Sequence, residues 1–173
     1  MNISIIICCY NSANRIKPTL VHIAHQDLLD FSSEVIVVDN NCTDDTISIA
    51  KKVWMDCNNP FSLRIVEEKR AGLSYARNTG VMAARGEIII FCDDDNWLDK
   101  DYCKIAYKIM DSDASIGALG GRGLAVSDDD LPHWFTTYQG GYAVGVQSMN
   151  SGFIDEINKI EKFKNLGLTI NLS

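Results

Sequence analysis

Apolar and β-branched residues arrive in four short runs over the first two-thirds of the chain, at residues 3–9, 34–39, 62–67 and 87–92. The first, second and fourth are apolar at nearly every position, the pattern of strands covered on both faces in a parallel sheet, whereas the third alternates more. Segments with helical spacing lie between them. The first carries His22 and His25. The second covers 47–54, with Thr43 as its expected N-cap and Asp44 and Asp45 in its first turn. The third covers 72–84, closed by Gly86, and the fourth 99–110. The alternation βαβαβαβα predicts an α/β fold, a doubly wound and mostly parallel sheet with right-handed crossovers. Past residue 111 the pattern weakens. Residues 116–126 read as a strand and a bend, Asp128 to Asp130 and Gly140-Gly141 as loop, and 154–166 as a last amphipathic helix. Nothing repeats and no linker interrupts the chain, so residues 1–173 form a single domain.

In such sheets ligands sit beyond the carboxyl ends of the strands. That rule singles out Cys9, Tyr10 and Asn11 after the first strand, Asp39 to Asn41 after the second, and Asp93, Asp94 and Asp95 after the fourth. Three adjacent carboxylates repel one another and need a cation or solvent. Mg2+ and Mn2+ take oxygen ligands and bridge to phosphates through one or two carboxylates; a solvated acidic turn is the plainer alternative. Asp39 could accept from a base N–H or ribose hydroxyl, or could cap a turn. Arg70, just before the third helix, and Arg77, inside it, suit a diphosphate near a helix start, or form a surface charge pair. A P-loop is absent, and no Gly-x-Gly-x-x-Gly follows the first strand, which argues against a dinucleotide fold.

Composition narrows the classes. Apolar residues make up 46% and charged residues 23%, as in ordinary globular proteins. The net charge is -7 and no Lys/Arg stripe forms, which excludes nucleic-acid binding as an expectation. An acidic protein that holds an anionic nucleotide needs local compensation, from a metal ion and a few arginines. None of the six cysteines forms a C-x-x-C pair, so they read as free, largely buried thiols in a reducing cytosol. No run approaches the roughly 20 apolar residues of a membrane span, and the N-terminus lacks a basic, apolar leader. The expected place is the cytoplasm, at most peripheral to a membrane.

In order, Ile6-Ile7-Cys8-Cys9-Tyr10-Asn11, Val37-Val38-Asp39-Asn40 with Thr43-Asp44-Asp45-Thr46, Gly72-Leu73-Ser74-Tyr75-Ala76-Arg77-Asn78-Thr79-Gly80, and Asp93-Asp94-Asp95 resemble the motifs of family 2 glycosyltransferases. Each is weak alone; the ordered set is specific and covers about residues 1–110. Leu131 to Phe135 resembles a later segment of some members more loosely. The resemblance implies a fold of the GT-A type, with 1–110 as the nucleotide-sugar-binding part and 111–173 as a partial acceptor-side part. It implies inverting transfer of a sugar from a nucleotide-diphosphate donor, a UDP-sugar by expectation, to a saccharide or lipid-linked acceptor. The cofactor would be Mn2+ or Mg2+. The full-length protein would sit at the inner face of the membrane as a peripheral partner. By the same resemblance Cys9 and Tyr10, with Asn11 beside them, line the nucleobase pocket, and Asp39 accepts from the base. Arg70 lies near the ribose or base and Arg77 near the phosphates. Asp93 and Asp95 take the Asp-x-Asp positions on the metal, Asp95 as the direct ligand, and Asp94 faces the ribose or stands behind the ligands.

Two departures stand out. Cys42 takes a place where Ser is more usual. The family's catalytic base lies well downstream of the Asp-x-Asp, and this chain stops 78 residues after Asp95. Asp155 and Glu156 form the one late acidic pair and are the candidates for it, although their setting reads as the polar face of a helix. A shortened chain is therefore expected, one that binds donor but transfers sugar slowly. Two rivals follow: a nucleotide- and metal-binding fragment without turnover, and a nucleotidyltransferase. The second would normally place a Gly-rich loop with Arg and Lys where Tyr10 to Arg15 stand. His22 and His25, three apart, read as helix surface rather than metal ligands. His133 beside Trp134 is a weaker candidate for meeting an acceptor sugar, and Met55, Met82 and Met110 read as core filler.

Overall fold

Side chains of a strand alternate between faces, so a run such as residues 3–9 must be covered twice. The computed structural model, which describes residues 1–28, 30–121, 123–127, 130–139 and 169–171, shows how. Strands β1 (Ile3–Cys9), β2 (Ser33–Asp39), β3 (Ser62–Glu67) and β4 (Ile88–Phe91) alternate with helices α1 (Ile16–Ala24), α2 (Thr46–Asp56), α3 (Leu73–Ala83) and α4 (Tyr102–Ser112). A short β5 (Ala118–Leu119), a one-turn α5 (Phe135–Tyr138) and β6 (Thr169–Asn171) follow. The sheet order is β3-β2-β1-β4-β6-β5. β1 to β4 pair in parallel, and β6 runs antiparallel to both β4 and β5.

This order determines which helix covers which face. The chain steps from β1 to β2 to β3 in one direction, then returns past β1 to β4, so right-handed crossovers put α3 opposite α1 and α2. Ile3, Ile5 and Ile7 of β1, with Val35, Val37, Ile88 and Ile90, pack against buried residues of α1, α2 and α4. Ile6, Ile36, Val38 and Ile89 form a second, smaller cluster with Ala76 of α3. α3 lies close on the sheet because residue 80 is glycine: a Cβ there would stand 2.5 Å from Ile6 Cγ2. At the amino edge of the sheet the buried carboxylate of Glu34 accepts hydrogen bonds from Ser4 Oγ (2.8 Å), Arg64 Nη1 (2.8 Å) and the Arg85 N–H (2.9 Å). Burial alone would raise its pKa; these donors outweigh burial and hold it below the ordinary value.

Several local expectations change. Thr43 does not cap α2. Asp45 holds the N-cap position without a side-chain cap bond, and Asp44 Oδ1 accepts the Thr46 N–H instead. Gly86 does not close α3, which ends at an extended Ala84; the Gly86 N–H donates to Ser4 Oγ. α4 begins three residues late, at Tyr102, where Gln26 Oε1 accepts the Cys103 N–H. Among the described residues of 116–126 only Ala118–Leu119 is a strand. Met110 is core, whereas Met55 and Met82 are exposed. All six cysteines are free. Asp128, Asp129, Gly140, Gly141 and residues 154–166, with Asp155 and Glu156, lie outside the described residues. Among the described residues no helix is long and apolar enough to cross a membrane.

Candidate functional site

The return of the chain past β1 leaves a topological switch point between β1 and β4, where a crevice opens at the carboxyl edge. Two residues past the end of β1 and of β2 stands an asparagine with left-handed backbone, Asn11 (φ 50°) and Asn41 (φ 64°), a conformation this side chain tolerates better than most. Each turn is then fastened. Asn11 Oδ1 accepts the Thr43 N–H (2.8 Å), and Asn41 Nδ2 donates to the Lys69 carbonyl (2.9 Å).

Asp39 closes β2. Its Oδ1 accepts the Cys42 N–H at 2.8 Å, so it does cap a turn; a partly exposed carboxylate retains capacity for further donors. Asn40, beside it, is buried and organises the next loop. Its Nδ2 donates to the carbonyls of Glu68 (2.8 Å) and Arg70 (2.7 Å), and its Oδ1 accepts the Gly72 N–H (2.9 Å). Gly72 takes φ 135°, open to glycine and strained for other residues, as it turns the chain into α3.

Arg70 is held as a fork. Glu68, buried, accepts its backbone N–H, its Nε (3.0 Å) and its Nη2 (2.7 Å), and also the Thr79 hydroxyl. The guanidinium lies 4.7 Å over the Tyr75 ring. The Arg70 and Thr79 bonds pull the Glu68 pKa down to about 2. Arg77, from the next turn of α3, lies 5.6 Å over the Phe91 ring and reaches Asp93 Oδ1 with Nη2 at 3.5 Å. A guanidinium from α3 therefore stands beside the acidic turn.

The three aspartates separate. Asp93 and Asp95 are exposed. Asp94 is turned inward: its carboxylate accepts from Ser12 Oγ and from Arg15 Nε at 2.9 Å, and its carbonyl accepts the Thr19 hydroxyl at 3.0 Å. Among the described residues no three His, Cys, Asp or Glu side chains converge as a complete metal cage.

Tyr10 is exposed at the crevice, but the Cys9 side chain is buried in the core. Cys9 offers the crevice region only backbone, its carbonyl accepting the Asn40 N–H (3.0 Å) and Cys42 Sγ (3.4 Å). Burial raises the Cys9 thiol, and that of Cys8 to about 11, so neither is a nucleophile near neutral pH. His22 stacks on Trp97 with ring centroids 5.5 Å apart, and its Nδ1 lies 3.2 Å from the Leu98 carbonyl. Sequence reasoning placed Asn40 at the strand end without its bracing role, and missed Glu68, Ser12 and Arg15. For Glu68 the signal was a carboxylate two residues from Arg70; for Arg15, tertiary contact with Asp94 left none.

Comparison with known proteins gives four findings. The sequence profile of Glycosyl transferase family 2 matches residues 4–169. The poly(ribitol-phosphate) beta-N-acetylglucosaminyltransferase TarS of Staphylococcus aureus is 31% identical over 135 residues, 73% of this chain and 23% of TarS. The structure of TarS residues 1–349 in complex with UDP matches with a TM-score of 0.65 at 30% identity, over 77% of this chain and 38% of that one. The mannosyltransferase PcManGT from Pyrobaculum calidifontis, in complex with GDP-Man and Mn2+, matches with a TM-score of 0.64 at 32% identity, over 72% of this chain and 36% of that one. The chain thus spans less than two-fifths of the length of each.

Proposed function

Because the chain belongs to glycosyl transferase family 2 and has the GT-A fold, we propose that it forms the donor site of a metal-dependent glycosyltransferase. The donor is a nucleotide-diphosphate sugar, UDP-linked in our reading, and the acceptor a saccharide or lipid-linked hydroxyl. One observation carries the proposal. Asp39, Arg70 and the exposed pair Asp93 and Asp95 lie at or just past the carboxyl ends of β2, β3 and β4, on one edge of the parallel sheet, and Arg77 of α3 reaches Asp93 there.

Each group has a role that its setting supports. Asp39 accepts an N–H of the base with the capacity its turn leaves. Arg70, held in one orientation by Glu68 and Tyr75, offers the outer edge of its fork to the ribose or base. Arg77 is loosely paired with Asp93 and can turn to the phosphates. Asp93 and Asp95 would hold Mn2+ or Mg2+. Their hard oxygens suit either ion, and either ion can take its remaining ligands from a diphosphate. When bound, the ion neutralises charge on the leaving diphosphate as a Lewis acid. Transfer by inversion also needs a base for the acceptor hydroxyl; Asp155 and Glu156 remain its candidates.

A thermal-shift panel of UDP, GDP, CDP and dTDP with and without Mn2+ tests the reading, since a ligand that binds only the folded state raises its stability. UDP with Mn2+ should give the largest shift. A radiolabelled UDP-sugar assay then reads transfer. No shift with any nucleotide would contradict the proposal.

A further inference from the structure

We infer that Arg15 is a positioning residue that withdraws the middle carboxylate of the acidic turn, Asp94, from the cation. The inference rests on the reading of Asp93 and Asp95 as the cation side of the donor site. Ser12 and Arg15 lie in the turn that leads into α1, and Thr19 in its first turn. All three bind residue 94: Ser12 Oγ and Arg15 Nε donate to its carboxylate, and Thr19 Oγ1 to its carbonyl. The side chain of Asp94 is 12% exposed, against 58% for Asp93.

The two ion pairs of the turn differ in a way that assigns their roles. Arg15 meets Asp94 at 2.9 Å with a second donor on the same carboxylate, so Asp94 cannot swing outward without losing both. Arg77 meets Asp93 at 3.5 Å in solvent, a pair that a cation or a phosphate can displace. The turn therefore presents two carboxylates rather than three. A third, unpaired, would stand beside a diphosphate and repel it, and would offer the ion a competing ligand.

Four proteins decide the matter: the wild type, Arg15→Ala, Asp94→Ala and the double variant. Two readings are taken on each, Mn2+ binding without nucleotide by the resonance of free Mn2+, and calorimetric UDP binding at saturating Mn2+. Arg15→Ala should weaken UDP binding about tenfold, within the range of coupled neighbouring charges, while Mn2+ alone binds at least as well as to wild type. Adding Asp94→Ala should return UDP binding to within about twofold of wild type, because the carboxylate that Arg15 neutralised is gone. Asp94→Asn, which keeps an acceptor for Ser12, repeats the rescue should Ala loosen the loop. A double variant as weak as Arg15→Ala would overturn the inference and make Arg15 a direct phosphate contact or a brace of the loop. Unchanged UDP binding in Arg15→Ala would overturn it too. A wild type that bound neither ion nor nucleotide would overturn the donor-site reading itself, and the inference with it.

Discussion

Replacing Asn40 by Ala removes three hydrogen bonds at once, from its amide to the carbonyls of Glu68 and Arg70 and from the Gly72 N–H to its oxygen. At a net value of about 0.5–1.5 kcal/mol each, the sum is about 1.5–4.5 kcal/mol. Arg70 and Gly72 are exposed enough for water to replace part of the loss, which brings the expectation to about 2–3 kcal/mol. For a chain of this size that is a fall in Tm of roughly 4–12 °C. Urea unfolding should show the midpoint lowered with the slope unchanged, because the surface exposed on unfolding is the same. Asn40→Asp should be no better: it keeps an acceptor for Gly72 but sets a carboxylate against two carbonyl oxygens. Nucleotide binding should weaken beyond what the unfolded fraction explains, since the loop that aims Arg70 loses its anchor. A stability loss under about 0.5 kcal/mol would refute the reasoning, because it would mean that the Asn40 network contributes less than one ordinary bond.

Asp39→Ala should weaken nucleotide binding by about 1–3 kcal/mol in calorimetry and leave Mn2+ binding without nucleotide unchanged; normal nucleotide binding would make Asp39 a turn cap only. Gly80→Ala should destabilise by about 1–3 kcal/mol in urea unfolding, because its Cβ would stand 2.5 Å from a β-branched Ile6 that cannot swing aside. Glu68 has a depressed pKa, so its contribution is full above the ordinary value of 4.5 and is lost as the pH falls toward about 2. Glu68→Gln should therefore flatten the stability loss measured between about pH 5 and pH 2.

The sheet was legible because β-branched runs carry their own signal: β1 and β3 begin and end where the pattern of apolar positions places them. The helix ends were less so. Thr43 is turned to Asn11, a partner 32 residues away, to which it donates its N–H and hydroxyl, and the first N–H of α2 goes to Asp44. β6 escaped because three residues are too few for a period, and it forms by pairing with β4 and β5. At the site, residues next to a strand end were found, since strand ends are visible. The inward turn of Cys9 follows from the two-residue period of β1, which puts it with Ile3, Ile5 and Ile7 on the covered face. The fate of Asp94 depends on Ser12, Arg15 and Thr19, 82, 79 and 75 residues away, and no local pattern encodes that.

In the proposed site a cation joins the acidic turn to a nucleotide diphosphate. Calorimetric titration of UDP into the wild type, with Mn2+ and then with excess chelator, measures that link directly, and Asp95→Ala locates it. Binding should depend on Mn2+ in the wild type and be lost in Asp95→Ala. Equal affinity in chelator, or in Asp95→Ala, would contradict the proposal.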